Sequence, residues 1–209
     1  MSATNRGSER VKNDAYYTPP WCVDRLFECR SFTESIHAGR YLRTLIEPCA
    51  GTGSIVKAVE RHLPSRPWAA SDIDENAVDA LHLACNQESC ASVEDFLATD
   101  ELAFREQSDL CITNPPYSLA LEFAQKACRR SHMVVFLLRL NWLASAKRHP
   151  WIRKHMPDIY VLPNRPSFDG KGTDATDYAW FVWPDTSEYR SSGRVEVLGL
   201  TDLKDRRRA

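Results

Sequence analysis

Short apolar runs alternate with amphipathic segments along this chain, and the alternation predicts an α/β fold built on a mostly parallel sheet. Helical periodicity of apolar positions extends over residues 21–28, 54–62, 75–85 and 118–127. Asp74 and Ser118 are the predicted N-caps of the last two helices. Strands are predicted at 44–47, 68–72, 91–96, 110–113, 132–139, 158–162 and 178–183.

The order of these elements predicts a single domain over residues 14–200, because a chain of 209 residues can bury one sizeable core. The polar ends, 1–13 and 201–209, are expected to be flexible. Residues 31–43 have a broken helical pattern, and residues 194–200 are a candidate edge strand.

A glycine turn joins the first predicted strand to the helix that follows it. The sequence there is Glu47-Pro-Cys-Ala-Gly51-Thr-Gly53, and the two glycines let the backbone approach a ligand closely. Strand, turn and helix form the first unit of a doubly wound sheet, with free N–H groups at the start of the helix. Val56 stands where a dinucleotide fingerprint requires a third glycine, which disfavours an oxidoreductase.

Acidic residues end three of the predicted strands, at Glu47, Asp72 and Asp95. The carboxyl ends of parallel strands share one edge of a sheet, so these side chains are expected along one rim. Buried carboxylates need partners, which implies a ligand that donates hydrogen bonds. Asp72 follows Gly51 by 21 residues, a spacing typical of an acid that holds ribose hydroxyls, although a helix N-cap is an alternative role. Ile73 can pack against an adenine face.

The tetrapeptide Asn114-Pro115-Pro116-Tyr117 stands between a buried strand and a helix. Two consecutive prolines remove two backbone donors and fix φ. Carbonyl oxygens, an amide and an aromatic ring are left to face a crevice, which suits a planar ligand with an exocyclic amino group. A turn whose tyrosine fills a gap in the core is the structural alternative.

Charge is distributed unevenly although the net charge is only −1. Residues 139–155 contain five Lys or Arg and no acid, and a second basic run occupies 204–208. Basic clusters on a neutral background are typical of proteins that bind phosphate backbones, whereas a basic chain end is often merely solvated.

Composition excludes several other classes of protein. Seven cysteines occur without a C-x-x-C pair, which indicates free thiols in a reducing compartment and predicts no metal site. No apolar run approaches the length of a membrane span, and the N-terminus does not resemble a signal peptide. We therefore expect a cytoplasmic protein of a bacterium or a phage-infected cell that does not contact membranes.

Taken in order, the motifs resemble those of S-adenosylmethionine-dependent amino methyltransferases. Tyr16-Tyr17-Thr18-Pro19 resembles the additional cofactor motif of DNA adenine-N6 methyltransferases, and residues 162–183 are similar to phage and prophage members. The motifs that carry the family resemblance are Glu47 to Gly53, Asp72, Asp95-Phe96 and Asn114 to Tyr117, and it covers about residues 14–184.

The resemblance implies the Rossmann-like class I methyltransferase fold, whose seven-stranded, mostly parallel sheet has an antiparallel last hairpin. It implies S-adenosylmethionine as cofactor, with the glycines at its methionine part, Asp72 at the ribose and Asp95 with Phe96 at the adenine. The implied cofactor-binding residues are Tyr17, Thr18, Pro19, Glu47, Ala50, Gly51, Gly53, Asp72, Ile73, Asp95, Phe96 and Asn114.

By the same resemblance, the reaction is methylation of the N6 amine of adenine in duplex DNA, after the base has left the stack. Asn114, Pro115, Pro116 and Tyr117 are the implied catalytic residues, and Tyr117 and Phe168 would hold the base between them. The predicted nucleic-acid-binding residues are Phe168, Arg165, Arg139, Lys147, Arg148 and Lys171. The chain has no room for a separate target-recognition domain, so we expect short or weak sequence specificity.

Other readings of the motifs remain open. The same tetrapeptide also serves methyltransferases of RNA and of protein glutamine amides. A catalytically silent nucleic-acid-binding subunit is a further alternative, although such subunits usually lose the glycine turn or the tetrapeptide. The oligomeric state and any role in protection from restriction are left undecided.

Overall fold

An eight-stranded mixed sheet organises the protein in the computed structural model. The structure describes residues 17–37, 42–85, 89–99, 107–168, 172–184 and 191–206. The strands are β1 (Leu45–Glu47), β2 (Trp68–Asp72), β3 (Cys90–Val93), β4 (Ser108–Thr113), β5 (Ser131–Arg139), β6 (Asp158–Val161), β7 (Tyr178–Pro184) and β8 (Val195–Val197). The helices are α1 (Pro20–Phe27), α2 (Arg30–His37), α3 (Ser54–Glu60), α4 (Glu75–Ala84), α5 (Ala120–Arg130), α6 (His149–Lys154) and α7 (Leu203–Arg206).

The strand order is β3-β2-β1-β4-β5-β7-β6-β8. Strands β1 to β5 are parallel to their neighbours among themselves, and β7 is antiparallel to both β5 and β6. The predicted mostly parallel sheet with an antiparallel last hairpin is therefore confirmed. The eighth strand pairs in parallel with β6 at the edge, within the segment 194–200 where the sequence indicated an edge strand.

Alternating residues of β5 contribute to two hydrophobic cores, one on each face of the sheet. Met133, Val135 and Leu137 pack with α1 to α4, whereas Val134 and Phe136 pack with α5 and α6. Both faces are covered, which explains why this strand is apolar along its length. The order in which strands are added to the sheet reverses between β1 and β4, because β2 and β3 lie on one side of β1 and the later strands lie on the other. Open α/β sheets bind their ligands at such a point.

Two predicted boundaries near the tetrapeptide and the third strand are wrong. Helix α5 is capped by Leu119 rather than Ser118, because the Leu119 N–H donates to the carbonyl of Pro116 (2.9 Å) and a turn precedes the helix. Strand β3 ends at Val93, before Asp95, because the Asp95 carboxylate accepts from the N–H of Leu97 (2.9 Å) and stabilises a turn there. The predicted cap of α4 is confirmed, since Asp74 accepts from the N–H of Asn76 (3.0 Å).

Part of the predicted flexible segment 201–209 is folded. Thr201 is buried, and its N–H donates to the side-chain oxygen of Asn164 (2.7 Å). Helix α7 follows directly, so the chain is folded up to Arg206. Among the helices that the structure describes, none is long and apolar enough to cross a membrane.

Candidate active site at the carboxyl edge of the sheet

A cavity of about 540 Å³ opens at the carboxyl ends of β1, β2 and β4, next to the reversal of strand order. Its volume lies within the ~300–1,000 Å³ range of small-molecule sites. Most of the residues predicted to bind a cofactor contribute to its wall. These are Tyr17, Thr18, Glu47, Ala50, Gly51, Asp72, Ile73, Asp95, Phe96 and Asn114.

Acidic side chains dominate the polar part of this wall. Glu47, Asp72, Asp74, Glu94 and Asp95 line the cavity, and no Lys, Arg or His is among the described residues that do so. The local field therefore favours a ligand that is cationic or rich in hydrogen-bond donors. A phosphate-bearing dinucleotide would meet repulsion in this cavity.

The carboxyl group of Glu47 is buried at the base of the cavity and is only 1 % exposed. Its Oε2 atom has no hydrogen-bond partner. Burial raises the pKa of Glu47 well above the usual value, and the negative charge of Asp72 adds to this, while a backbone hydrogen bond with Val56 opposes it. A cation or donor placed here would relieve the desolvation of the carboxylate.

The glycine turn approaches the cavity at Gly51, which has a positive φ of 50°. Its N–H donates to Oδ2 of Asp72 (2.7 Å), so the turn after β1 is tied to the end of β2. A Cβ atom at this position would lie 3.2 Å from the ring of Tyr17, which covers the turn. Gly51 therefore brings the backbone and the Tyr17 ring together at the cavity wall.

Gly53 serves a different purpose from the predicted one. It has a φ of 79° and does not contribute to the cavity wall. A Cβ atom there would lie 2.4 Å from the Cβ of Ala84 in α4. The second glycine thus allows helices α3 and α4 to pack closely, while the first faces the cavity.

The Asp72 carboxylate organises the loops at the ends of two strands. Besides the bond from Gly51, it accepts one from the N–H of Asp74 through Oδ1 (2.9 Å). The alternative N-cap role belongs to Asp74. Asp72 also lines the cavity, so it remains placed for the predicted contact with ribose hydroxyls.

Glu94 is a site residue that the sequence analysis missed. It lines the cavity, and its buried Oε1 atom has no hydrogen-bond partner. Burial raises the pKa of Glu94, and the nearby charge of Lys126 opposes the shift. An acid directly before Asp95 at the end of a strand was the available signal.

The wall formed by Phe96 is fixed from behind by α5. The Phe96 ring is 5.2 Å from that of Phe123, and the ammonium group of Lys126 lies 5.3 Å from its centre. The buried Lys126 also donates to the carbonyls of Leu97 and Thr99. A lysine from α5 thereby holds the turn that follows β3.

Two motifs that are far apart in the sequence meet at Asn114. Its side-chain Nδ2 donates to Oγ1 of Thr18 (3.2 Å), and Thr18 is only 2 % exposed. Asn114 and Pro116 line the cavity, while Pro115 is buried. The contact orients the asparagine amide at the end of β4. The sequence predicts that the amine to be methylated meets the cofactor at this position.

Tyr117 lies outside the cavity wall, in a cluster of aromatic and charged side chains. Its ring centre is 5.9 Å from that of Tyr178, and Phe168 packs against the same Tyr178 at 5.1 Å. The guanidinium group of Arg139 lies 4.7 Å from the centre of the Tyr117 ring. Burial raises the pKa of the Tyr117 phenol well above its usual value, as does the charge of Tyr178. Tyr178 was not among the predicted site residues.

The side chains predicted to bind nucleic acid differ in their exposure and in the contacts that they already make within the protein. Lys147 and Arg165 are exposed, in ion pairs with Glu122 (3.0 Å) and Asp177 (2.8 Å). Arg148 donates to the carbonyl of Trp142 (2.5 Å) and lies over its ring, so it also holds the local fold. Phe168 is 9 % exposed. Lys171, like Tyr16, lies outside the described residues.

By sequence, the chain matches no protein-family profile and no curated protein. By structure, it is similar to PH1948 of Pyrococcus horikoshii, a proposed RNA methyltransferase, with a TM-score of 0.62, 16 % identity and coverage of 88 % of this chain and 91 % of that one. It is also similar to a proposed class I S-adenosylmethionine-dependent methyltransferase of Listeria monocytogenes, with a TM-score of 0.61 and 14 % identity. That match covers 92 % of this chain and 67 % of the other.

The human METTL16 catalytic domain, solved in complex with the MAT2A 3′UTR hairpin 1, is a further structural relative. It gives a TM-score of 0.51 at 14 % identity, with 83 % of this chain and 70 % of that chain covered. At identities this low, the similarities establish the fold alone. The chain has the class I methyltransferase fold.

Proposed function

We propose that this protein transfers the methyl group of S-adenosylmethionine to the N6 amine of adenine in a nucleic acid, with DNA as the preferred substrate. The observation that carries the proposal is the position of Asn114. Its amide lies on the wall of an acidic cavity and is oriented by Thr18 from the motif that precedes α1. A cavity suited to a cationic cofactor thus adjoins an amide suited to a planar amine.

The residues of the cavity fit this cofactor. Glu47 would accept from its ammonium group, Asp72 would hold the ribose, and Glu94 or Asp95 would bind the amino group of its adenine. When bound, S-adenosylmethionine supplies an electrophilic methyl group on a sulfonium ion. The five carboxylic side chains of the wall suit that positive charge. The name of the Listeria relative agrees with this choice of cofactor.

The amine of adenine is a weak nucleophile because its lone pair is delocalised into the ring. In our proposal the Asn114 side-chain oxygen and the Pro115 carbonyl accept the two N–H hydrogen bonds of this amine. Holding both hydrogens out of the ring plane favours a pyramidal nitrogen whose lone pair points at the methyl group. The nitrogen releases one proton to solvent after transfer, so the protein contributes alignment and electrostatic stabilisation without a strong base.

An adenine can enter this site only after it leaves the helical stack, which costs a few kcal/mol. Tyr117 is the last residue of the tetrapeptide, and in our proposal the extruded base stacks on its ring. Stacking on an aromatic side chain is worth ~1–3 kcal/mol per base and would offset the cost of extrusion. Exposed basic side chains after β5, such as Lys147, would bind the phosphate backbone.

RNA is a second candidate substrate. The relative from human METTL16 was solved with a 3′UTR hairpin, and the Pyrococcus relative is a proposed RNA methyltransferase. The Tyr17-Thr18-Pro19 motif favours DNA adenine, and Thr18 contacts Asn114 directly. A transfer assay with tritiated S-adenosylmethionine and equal amounts of duplex DNA, hairpin RNA and glutamine peptides distinguishes them. Label in DNA N6-methyladenine is expected, and label confined to the peptide would overturn the proposal.

Replacement of Asn114 by alanine tests the role of its amide. We expect Asn114→Ala to lower kcat by about 10²–10³-fold, the usual effect of removing one preorganised polar group from the reacting centre. Asn114→Asp keeps an acceptor oxygen and should retain more activity. Cofactor titration and thermal unfolding of both variants serve as controls, and full transfer by Asn114→Ala would refute the mechanism.

A further inference from the structure

The guanidinium group of Arg139 covers one face of the Tyr117 ring. Its central carbon lies 4.7 Å from the ring centre, a distance typical of a cation–π contact. A guanidinium is planar and stacks on aromatic rings as a base does. The position beside the catalytic loop where a planar acceptor would stack is thus held by a planar cation.

Several contacts keep this cation in place. Arg139 is the last residue of β5 and pairs with Tyr178 across the sheet. Its Nε donates to the Tyr178 hydroxyl (3.3 Å), and its Nη2 lies 3.8 Å from Oδ2 of Asp174. The Tyr178 hydroxyl donates to the same carboxylate (2.8 Å). The side chain of Arg139 is still 32 % exposed, so water and solutes reach it.

The core limits how an acceptor could approach Tyr117. The ring packs against both hydrophobic cores, and Tyr178 adjoins it at 5.9 Å. A stacking base would therefore have to take the place of the guanidinium. The displaced guanidinium would lose its aromatic contact, and a phosphate of the substrate would offer it a new partner beside Asp174.

We propose that Arg139 determines acceptor specificity: its guanidinium group moves from the face of the Tyr117 ring to a phosphate of the substrate strand when the base binds. This inference rests on the proposed function and adds to it. An adenine within a strand carries the phosphate that receives Arg139, whereas a free nucleoside does not. The exchange makes the enzyme select adenines in polynucleotides over nucleosides of the same chemistry.

The test compares Arg139→Ala with the wild-type protein, using adenosine and an adenine-containing duplex as acceptors. Removing the guanidinium uncovers Tyr117, and we expect kcat/KM for adenosine to rise roughly three- to tenfold. For the duplex, kcat/KM should fall, and its log–log dependence on salt should lose about 0.9 of slope, the value of one phosphate contact. Arg30→Ala is the matched control, because Arg30 forms an exposed ion pair with Glu34 on α2.

Arg139→Lys separates the charge of Arg139 from its shape. Lysine keeps a cation for the phosphate but lacks the planar group that stacks on Tyr117. This variant should keep the wild-type salt slope and still gain activity on adenosine. An unchanged duplex-to-adenosine ratio and salt slope in Arg139→Ala would overturn the inference. If the wild-type protein transfers methyl groups to neither duplex DNA nor hairpin RNA, the proposed function itself fails, which is a different outcome.

Discussion

Folding and the binding of a cationic cofactor favour different protonation states of the buried carboxyl group of Glu47. Its Oε2 atom has no hydrogen-bond partner, and burial raises the pKa of Glu47 well above the usual value of 4.5. A group whose pKa is raised by folding stabilises the native state below its unfolded pKa, and this contribution is lost as pH rises through the folded pKa. The ionised form that a cationic cofactor requires is therefore the form that the empty fold disfavours.

We predict that Glu47→Gln stabilises the cofactor-free protein and weakens cofactor binding. Glutamine does not titrate, so the variant should lack the loss of stability that the wild-type protein undergoes as pH rises above about 4.5. Thermal unfolding of both proteins between pH 5 and pH 8, with calorimetric titration of S-adenosylmethionine, measures both effects. A variant less stable than the wild type at pH 8 without cofactor would contradict this account.

The turn between β1 and α3 uses two glycines for two tasks. Gly51 borders the cavity beneath Tyr17, whereas Gly53 lies against Ala84 of α4. Both have positive φ, which only glycine adopts readily. One short turn thereby couples the shape of the cavity to the packing of two helices.

Alanine at each position should separate these tasks. Gly53→Ala would place a Cβ atom 2.4 Å from that of Ala84, and we expect a loss of about 2–4 kcal/mol in the free energy of unfolding from overpacking and backbone strain. Gly51→Ala has the backbone strain of a positive φ but no clash with a helix, so we expect it to lose less stability than Gly53→Ala. It should also weaken cofactor binding, because its Cβ atom would lie 3.2 Å from the Tyr17 ring at the cavity wall. Denaturant unfolding and cofactor titration measure the two effects. Gly172→Ala, with open space around it, is the control.

Charge of opposite sign is separated within the protein. The cavity wall is acidic, while the segment 139–155 after β5 is basic. The Lys147–Glu122 ion pair places part of this segment beside the start of α5, close to Ser118 and Leu119 of the cavity wall. An acidic pocket next to a basic surface suits a cationic cofactor beside a phosphate backbone.

Binding through these segments should give weak sequence discrimination. The connections that leave the sheet edge near the site, 140–157 and 162–177, are too small to form a separate recognition domain. Their described basic side chains suit phosphates, which carry no sequence information. We predict that methylation of random-sequence DNA, followed by mapping of the modified adenines, yields a short consensus. Strong enrichment of a motif longer than four base pairs would refute this prediction, and an unmethylated library provides the background.

The fold follows largely from local patterns in the chain. The continuous apolar run along 132–139 indicated a strand buried on both faces, and β5 has that position. Acids after the first strands and the asparagine after the fourth indicated one edge of the sheet, and one cavity collects them. The boundaries at Ser118 and Asp95 were wrong because single hydrogen bonds, from Leu119 to Pro116 and from Leu97 to Asp95, decide where these turns lie.

The contacts around Tyr117 and Phe96 could not be predicted from the sequence, because the tertiary structure alone decides them. Periodicity and turn chemistry are local, so they order strands, helices and strand ends without knowledge of packing. The Tyr178 and Arg139 side chains meet Tyr117 only because β7 inserts beside β5 in antiparallel register. Lys126 reaches the turn after Phe96 only because α5 packs on that face of the sheet. Contacts between distant segments depend on the registers and angles at which elements pack, which no local pattern encodes.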